Sequence, residues 1–489
     1  MPPVEQLPQI IQGGMGAAVS GWRLARAVSM NGGLGVVSGT GIDSVLVRRL
    51  QEGDPGGIVR EAIAAFPCRR TAERTLERFP VNPDRPDGKP YRMPPMFRLD
   101  SPPEQQALTA LAAFVEVWLA RRGHNGPVGI NLLEKIALPN PAILLGATLA
   151  GVDYVLMGAG IPIQIPGILD RLAAWQPIEL KVAVEGDKTG VGAVMTLDPA
   201  TVLDCTPGPL KRPAFLAIVS SPTIAQTLLK RATGSVQGFV VEGNTAGGHN
   251  APPRGPVRRN ERGEPIYGER DVIDPAAYRE IGKPFWLAGG QGRPGALAEA
   301  RRQGAVGIQV GTLFAFCRES GLDPELRGTA LAAAAIDPLD VYTDPLASPT
   351  GFPFKVVRLA ETLTEEDVYA ERTRVCDAGY LRRVCLLPDG RIGYRCPAEP
   401  EADYVAKGGD AADCEGRKCL CNALLANLGL GQWRRDGRRE QPLLTAGDDL
   451  SQIGDVMGDQ LSDYSAADVL AMLRQEAPLA VETPGSNGR

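Results

Sequence analysis

The sequence predicts an α/β fold, a (β/α)8 TIM barrel with loop inserts and a smaller C-terminal extension. Three observations carry that expectation. The first 360 residues alternate short apolar runs with Ala/Leu/Arg-rich stretches of helical length, the pattern of repeated strand–helix units on a parallel sheet. Eight such runs are present, the number that closes a barrel. Almost every run gives way to Gly, Ser or Asn, as strands do where they open into loops.

In order, the predicted strands are Gln9–Gln12, Gly35–Val37, Val128–Leu132, Tyr154–Met157, Phe215–Val219, Gly238–Val241, Phe285–Ala288 and Gly307–Val310. They are continuous apolar runs, as parallel strands buried on both faces should be. Helices are predicted at Gly21–Met30, Ile168–Trp175, Thr223–Arg231 and Ala296–Gln303. Two inserts interrupt the repeat. Phe66–Pro103 is rich in Pro and Arg and is expected as a loop or subdomain over the C-terminal face. Within Ile178–Pro213, Glu179–Val184 and Ala193–Leu197 are expected to pair as a hairpin. The barrel is therefore assigned to residues 1–360 and the extension to 361–489, with the polar end Glu482–Arg489 expected to be disordered.

Composition narrows the function classes. Net charge is −5 and the pI about 5.5, the wrong sign for holding a nucleic-acid backbone by bulk charge. There is no apolar run of membrane-spanning length and no basic, apolar leader at the start. Nine Cys, six of them after residue 370, do not form a uniform disulfide framework. A cytoplasmic, reduced chain is the expectation.

Only two His occur, so a reaction that needs an imidazole has little choice. His124 lies in a polar loop before the third strand and is expected to be structural. His249 closes the run Glu242-Gly243-Asn244-Thr245-Ala246-Gly247-Gly248-His249, directly after an apolar strand. Adjacent Gly residues let backbone approach a flat ligand. A His at the C-terminal end of a barrel strand sits where catalytic groups are placed. Gly289 and Gly290 follow the seventh strand, and Gln309-Val310-Gly311-Thr312 ends the eighth. Loops in these two positions often bind phosphate through backbone N–H groups. Gln12-Gly13-Gly14-Met15 ends the first strand, and Asn131 in the third offers an amide donor and acceptor. The glycines of Gly33–Gly39 run into a strand instead of opening a helix, which excludes a dinucleotide fingerprint.

The tail contains Cys376, Cys385, Cys396, Cys414, Cys419 and Cys421. Thiolates in that number can hold zinc or an iron–sulfur cluster. The absence of a C-x2-C pair and of a nearby His favours packed thiols instead, so no metal is expected. Arg254, Arg258, Arg259 and Arg262 follow the His249 loop among Glu261 and Glu264. That edge could receive a phosphate-bearing carrier, although a solvated loop of mixed charge is the expected reading.

The order Gln12-Gly13-Gly14-Met15, Gly129-Ile130-Asn131, Gly247-Gly248-His249, Ala288-Gly289-Gly290 and Gln309-Val310-Gly311-Thr312 resembles the nitronate monooxygenase family, formerly called 2-nitropropane dioxygenases. Flavin-dependent enoyl-ACP reductases belong to the same superfamily. The resemblance spans roughly residues 8–318. It implies non-covalently bound FMN. Gln12 to Met15 and Asn131 would approach the ring and ribityl chain, Gly247 and Gly248 would pack near the ring, and Gly289, Gly290 and Gln309 to Thr312 would hold the phosphate. It implies that His249 acts as the base toward a nitroalkane, or positions its nitronate, with molecular oxygen as co-substrate. The alternative it implies is an NAD(P)H-dependent enoyl-thioester reductase. Glu242, counted with the cofactor-lining residues, stands where many monooxygenases have Gln and where the reductases also have Glu. Asn244-Thr245 and Asn250–Arg254 depart from the usual flanks of the His. Ser348–Lys355 resembles the segment after the barrel in longer relatives and receives no role. A non-catalytic, flavin- or phosphate-binding barrel is a third reading, and the retained His249 argues against it.

Overall fold

The computed structural model describes residues 4–457 and 463–475. The stretch 482–489, expected to be disordered, lies outside the described residues. Eight parallel strands form one sheet: β1 Ile10–Gln12, β2 Gly35–Ser38, β3 Val128–Leu133, β4 Tyr154–Gly158, β5 Ala214–Val219, β6 Gly238–Glu242, β7 Phe285–Ala288 and β8 Gly307–Val310. Each strand pairs with its sequence neighbours, and β8 pairs with β1. Between β1 and β2 the ring closes through Leu34, whose N–H donates to Ile10 (2.9 Å) and whose carbonyl accepts from Gln12 N–H (3.0 Å). The fold is a (β/α)8 barrel.

The two-residue period of each strand divides the apolar side chains between two layers. Ile11, Val36, Leu156, Leu216, Val240 and Trp286 fill the barrel interior. Ile10, Val37, Ile130, Val155, Val241 and Ile308 face the surrounding helices. The Trp286 indole N–H donates to the Pro8 carbonyl at 2.7 Å, so the buried ring keeps its polar atom satisfied. Two residues on from Val240 comes Glu242, and next to Ile130 comes Asn131. The same alternation that builds the core therefore delivers these two polar side chains to its upper end.

The predicted helix Ile168–Trp175 runs instead from Ile165 to Ala173. Pro166 suits a first turn, where its missing N–H costs no bond. Trp175 takes a left-handed backbone (φ 55°) and ends the segment. The hairpin pairs Ile178–Val182 with Ala193–Leu197. Its first strand stops short of Val184 because the chain turns to the tail: Glu185 N–H donates to Val384 (2.8 Å) and Leu386 N–H to Glu185 (2.9 Å).

The insert 66–103 does not cover the barrel mouth as expected. Its helix Arg69–Arg78 packs on the helix Pro103–Arg121. Further along, Tyr91 N–H donates to Gln432 (2.8 Å) and Leu99 N–H to Tyr394 (2.8 Å), so the insert ties down the tail. Cys68 and Cys205 form a disulfide between the two inserts. The expectation of a wholly reduced chain is corrected at this pair, which the inserts bring together by packing on the same helix, Pro103–Arg121.

That helix is buried on nearly every face, because the barrel lies on one side and the inserts on the other. It crosses Asn140–Leu149 at Gly146, where a Cβ would stand 1.8 Å from the Ala110 carbonyl oxygen. Two backbones touch there and neither has a side chain to swing aside. Gly146→Ala should destabilise the fold by about 3 kcal/mol, at the upper end of overpacking costs. An unchanged denaturation midpoint would contradict this packing.

The chain beyond β8 covers the barrel mouth. Val341–Asp344, Phe354–Val357 and Gly248–His249 form a three-stranded antiparallel sheet, so the segment after β8 pairs directly with the His249 loop. Leu444, Ala446 and Leu450 join the outer core of the barrel.

Candidate active site

The C-terminal ends of the strands enclose a cavity of about 200 Å³. Gly13, Gly14 and Met15 enter from the β1 loop, Asn131 from β3 and Glu242 from β6. Gly247, Gly248 and His249 form one wall. Gly289, Gly290, Gln309, Gly311 and Thr312 form another. A larger open cleft of about 820 Å³ lies at the other end of the strands, beside Pro8 and Tyr154. Four of its cations are already engaged, Arg121 and Lys211 with Asp153, Arg212 with Asp170 and Arg474 with the Asn31 carbonyl. The smaller cavity is at the end where barrels place their chemistry.

Two expected site residues stay outside it. Gln12 is fully buried and its amide is spent on the fold: Oε1 accepts from Val36 N–H (2.9 Å) and Nε2 donates to Ser20 Oγ (2.8 Å). Val310 points into the outer core. Gln309, between the outward-facing Ile308 and Val310, lies on the cavity side. Its Oε1 is buried without a hydrogen-bond partner among the described residues.

Close approach explains the glycines at two places. At Gly14 a Cβ would come within 2.2 Å of the Asn131 side chain, so only Gly lets Asn131 reach the mouth. Gly248 has a left-handed backbone (φ 78°) with open space where a Cβ would be. Strand pairing holds the loop in place. Gly248 N–H donates to Thr445 Oγ1 (3.0 Å), and Gly248 and His249 pair with Lys355 and Phe354.

His249 is fixed on two sides. One ring nitrogen, Nε2, is 2.7 Å from Ser348 Oγ, and the ring meets Phe354 edge-on at 4.8 Å. Nδ1 has no hydrogen bond among the described residues. Ser348 is itself held by Thr350 Oγ1 at 2.8 Å. This gives the segment after the barrel a positioning role that the sequence did not disclose. Burial, reinforced by the nearby Lys135 charge, lowers the His249 pKa to about 3. This favours the neutral imidazole at neutral pH. Lys135 stands 3.0 Å over the Phe352 ring, and burial, with Arg383, lowers its pKa to about 8. It remains mostly cationic at neutral pH. Glu242 is raised to about 7 by burial and has no ion-pair partner among the described residues. It is the cavity group whose charge changes near neutrality.

The tail supplies residues that sequence reasoning missed. Leu424, Asn427, Thr445, Ala446 and Asp449 also line the cavity. The Asp449 carboxylate accepts from Gly292 N–H (3.1 Å) and from the Thr312 hydroxyl. Thr312 Oγ1 also accepts from Gly447 N–H at 2.9 Å. Burial raises the Asp449 pKa. Little in the sequence pointed to this: Gly447-Asp448-Asp449 reads as a polar turn more than a hundred residues beyond the last strand.

The other expectations are simple to place. His124 Nε2 is 2.7 Å from the Ala120 carbonyl, and its Nδ1 accepts from Gly126 N–H at 3.1 Å, as suits a loop His. The Arg254 guanidinium donates to the carbonyls of Ser220 and Arg270 and so joins loops instead of presenting a free cation.

No family model and no curated protein matches this sequence. Solved structures do match at low identity. FabK from Thermotoga maritima is 15% identical with a TM-score of 0.47, over 96% of this chain and 93% of that one. Nitroalkane oxidase from Streptomyces ansochromogenes is 16% identical with a TM-score of 0.46, over 96% and 94%. The enoyl reductase domain of MlnA, from the macrolactin biosynthesis cluster of Bacillus amyloliquefaciens, is 11% identical with a TM-score of 0.47, over 95% and 92%. Both kinds of protein named by the sequence resemblance stand among them.

Proposed function

We propose that the protein is an FMN-dependent oxidoreductase that oxidises alkyl nitronates with molecular oxygen, giving a carbonyl compound and nitrite. The observation that carries this reading is His249 on the cavity wall, its imidazole held neutral by burial, with the Lys135 cation near it and outside the cavity lining. Such a wall suits a substrate that arrives already anionic. With a pKa of about 3 the imidazole is too weak a base to deprotonate a neutral nitroalkane efficiently. We therefore assign it the second of the two roles the resemblance implies, a hydrogen-bonding group that positions the nitronate.

The residues fit a flavin at the ring end. Gly13, Gly14 and Gly248 leave backbone exposed at the mouth, and the unpartnered Gln309 Oε1 and the Asn131 amide offer polar contacts. At the phosphate end, Gly289, Gly290, Gly311 and Thr312 would supply N–H and hydroxyl donors. Asp449 already occupies the Thr312 hydroxyl and Gly292 N–H. Its carboxyl must be protonated or displaced when a phosphate binds. Asp449→Asn keeps an acceptor for Gly292 and removes the charge. We expect it to tighten FMN binding about tenfold, or about 1.4 kcal/mol. Weaker binding, read by fluorescence quenching of added FMN, would contradict the placement of the phosphate.

When bound, the flavin supplies the redox chemistry. The chain's own groups hold the substrate. Nδ1 of His249 is free for a substrate oxygen, Ser348 fixes the ring orientation, and Lys135 stabilises negative charge from behind. The Leu424, Leu444 and Ala446 side chains limit water at the mouth.

A second reading, enoyl-thioester reduction with NAD(P)H, is favoured by one observation. Glu242 with a pKa of about 7 carries a proton at neutral pH and lies in the cavity, as a donor to a reduced substrate carbon would. Oxygen uptake matched by nitrite release on adding a preformed nitronate supports the first reading. Neither signal, with enoyl-thioester-dependent NAD(P)H oxidation, supports the second.

A further inference from the structure

Four tail cysteines come together from three separate segments. Cys376 follows the helix Glu366–Glu371, Cys396 follows the strand Ile392–Arg395, and Cys419 and Cys421 flank Leu420 at the start of the helix Leu420–Ala426. All four line one small cavity of about 10 Å³, with Arg382 on its wall. The chain holds these segments rigidly. The Asn422 amide donates to Asp377 Oδ1 (2.8 Å) and lies 3.6 Å from Cys419 Sγ. Arg434 bridges Asp377 to Glu440, and Glu440 also accepts two bonds from Arg372 (2.8 and 3.1 Å).

Burial pushes all four thiols above their ordinary range, so they stay neutral until a cation binds, while nearby donors and cations oppose that shift. Backbone N–H groups of Ala398, Asn422 and Leu381 lie against Cys396, Cys419 and Cys421. The Arg372 and Arg382 guanidiniums face Cys419 and Cys376. A neutral thiol is a weak acceptor and has little use for so many donors. Cys385 and Cys414 do not line this cavity.

We propose that Cys376, Cys396, Cys419 and Cys421 form a four-thiolate site for an iron–sulfur cluster. Each thiol gives up its proton on binding. A single zinc ion fits less well. Its four sulfurs would stand about 2.3 Å from the metal and close the space between them, whereas these four surround a void. Among the described residues no three Cys, His, Asp or Glu side chains converge on a single ion position. The sequence expectation of plain packing thiols lacked this juxtaposition, because the three segments are separated by about twenty residues each.

The site adjoins the barrel mouth. Cys421 and His249 line the same second cavity, together with Tyr380, Leu381 and Leu424. A cluster held by Cys421 would therefore lie behind the wall that carries His249.

The test is made on the full chain, purified anaerobically without an affinity tag and then incubated with ferrous and ferric iron in equal amounts and with sulfide, so that a mixed-valence cluster forms without a further oxidant. The expected result is iron and acid-labile sulfide in equal amounts, with an electron paramagnetic resonance signal that changes on dithionite reduction. Cys376→Ser and Cys421→Ser should each lower bound iron at least tenfold, while Cys385→Ser and Cys414→Ser should retain it. Circular dichroism confirms that the variants are folded, and iron and sulfide in the wild-type chain test the proposal without them. Stoichiometric zinc without sulfide, protein that stays metal-free after incubation, or equal iron loss in Cys414→Ser would overturn it.

Discussion

His249→Ala should lower turnover of a preformed alkyl nitronate by roughly 10²–10³, the usual cost of removing one positioned donor from a developing charge. Bound FMN should be retained, because His249 lines one wall of the cavity while the proposed phosphate donors lie on the β7 and β8 loops. The effect should be nearly independent of pH between 6 and 9. With its pKa lowered to about 3, by burial first and by Lys135 second, the imidazole has no ionisation in that range to lose. Ser348→Ala should cost less and act on kcat more than on KM, since it frees the ring without removing it. A wild-type inflection near pH 6.5 that disappears in His249→Ala would contradict the neutral-imidazole account and restore the general base.

Glu242→Gln is expected to change the pH profile itself. The wild-type carboxyl ionises near 7 because burial disfavours its charge. Above that pH it places a negative charge in the cavity proposed to receive an anion. kcat/KM for a nitronate should therefore fall as pH rises through 7, and Glu242→Gln should lose that inflection and keep only the fall near 8 where Lys135 gives up its charge. At pH 8.5 the variant should exceed the wild type by at most about thirtyfold, the protonated fraction lost 1.5 units above the pKa. Stability follows the same ionisation. A carboxyl raised from 4.5 to about 7 makes the folded state bind more protons between those values. Stability then falls as pH rises through this window and is level above it. Glu242→Gln should be more stable than the wild type at pH 8, by at most about 3 kcal/mol, and nearly equal at pH 4. An inflection near pH 7 that survives in the variant would assign that ionisation to another group.

The barrel was legible in the sequence because each strand is a short apolar run bounded by loop residues. Phe285–Ala288 and Gly307–Val310 match to the residue. The order of the strands adds little freedom once right-handed connections are required. Most of the cavity was legible for the same reason, since residues at strand ends converge in any closed barrel. Gln12 misled because a strand-end Gln can equally bind its own loop, and here Ser20 and the Val36 N–H take it. The share of the chain beyond β8 was hidden. Ser348, Leu424, Thr445 and Asp449 reach the mouth through contacts across roughly 100–200 residues of chain, and no periodicity records such pairings. The low pKa of His249 was hidden as well, because it depends on burial and on Lys135 from the β3 loop.

The most direct measurement is an anaerobic absorbance titration of the FMN-loaded protein. One cuvette receives a small alkyl nitronate and another NADH. The account predicts that nitronate bleaches the flavin band and NADH leaves it unchanged. Bleaching by NADH with no response to nitronate would contradict it and transfer the site to the enoyl-thioester reading.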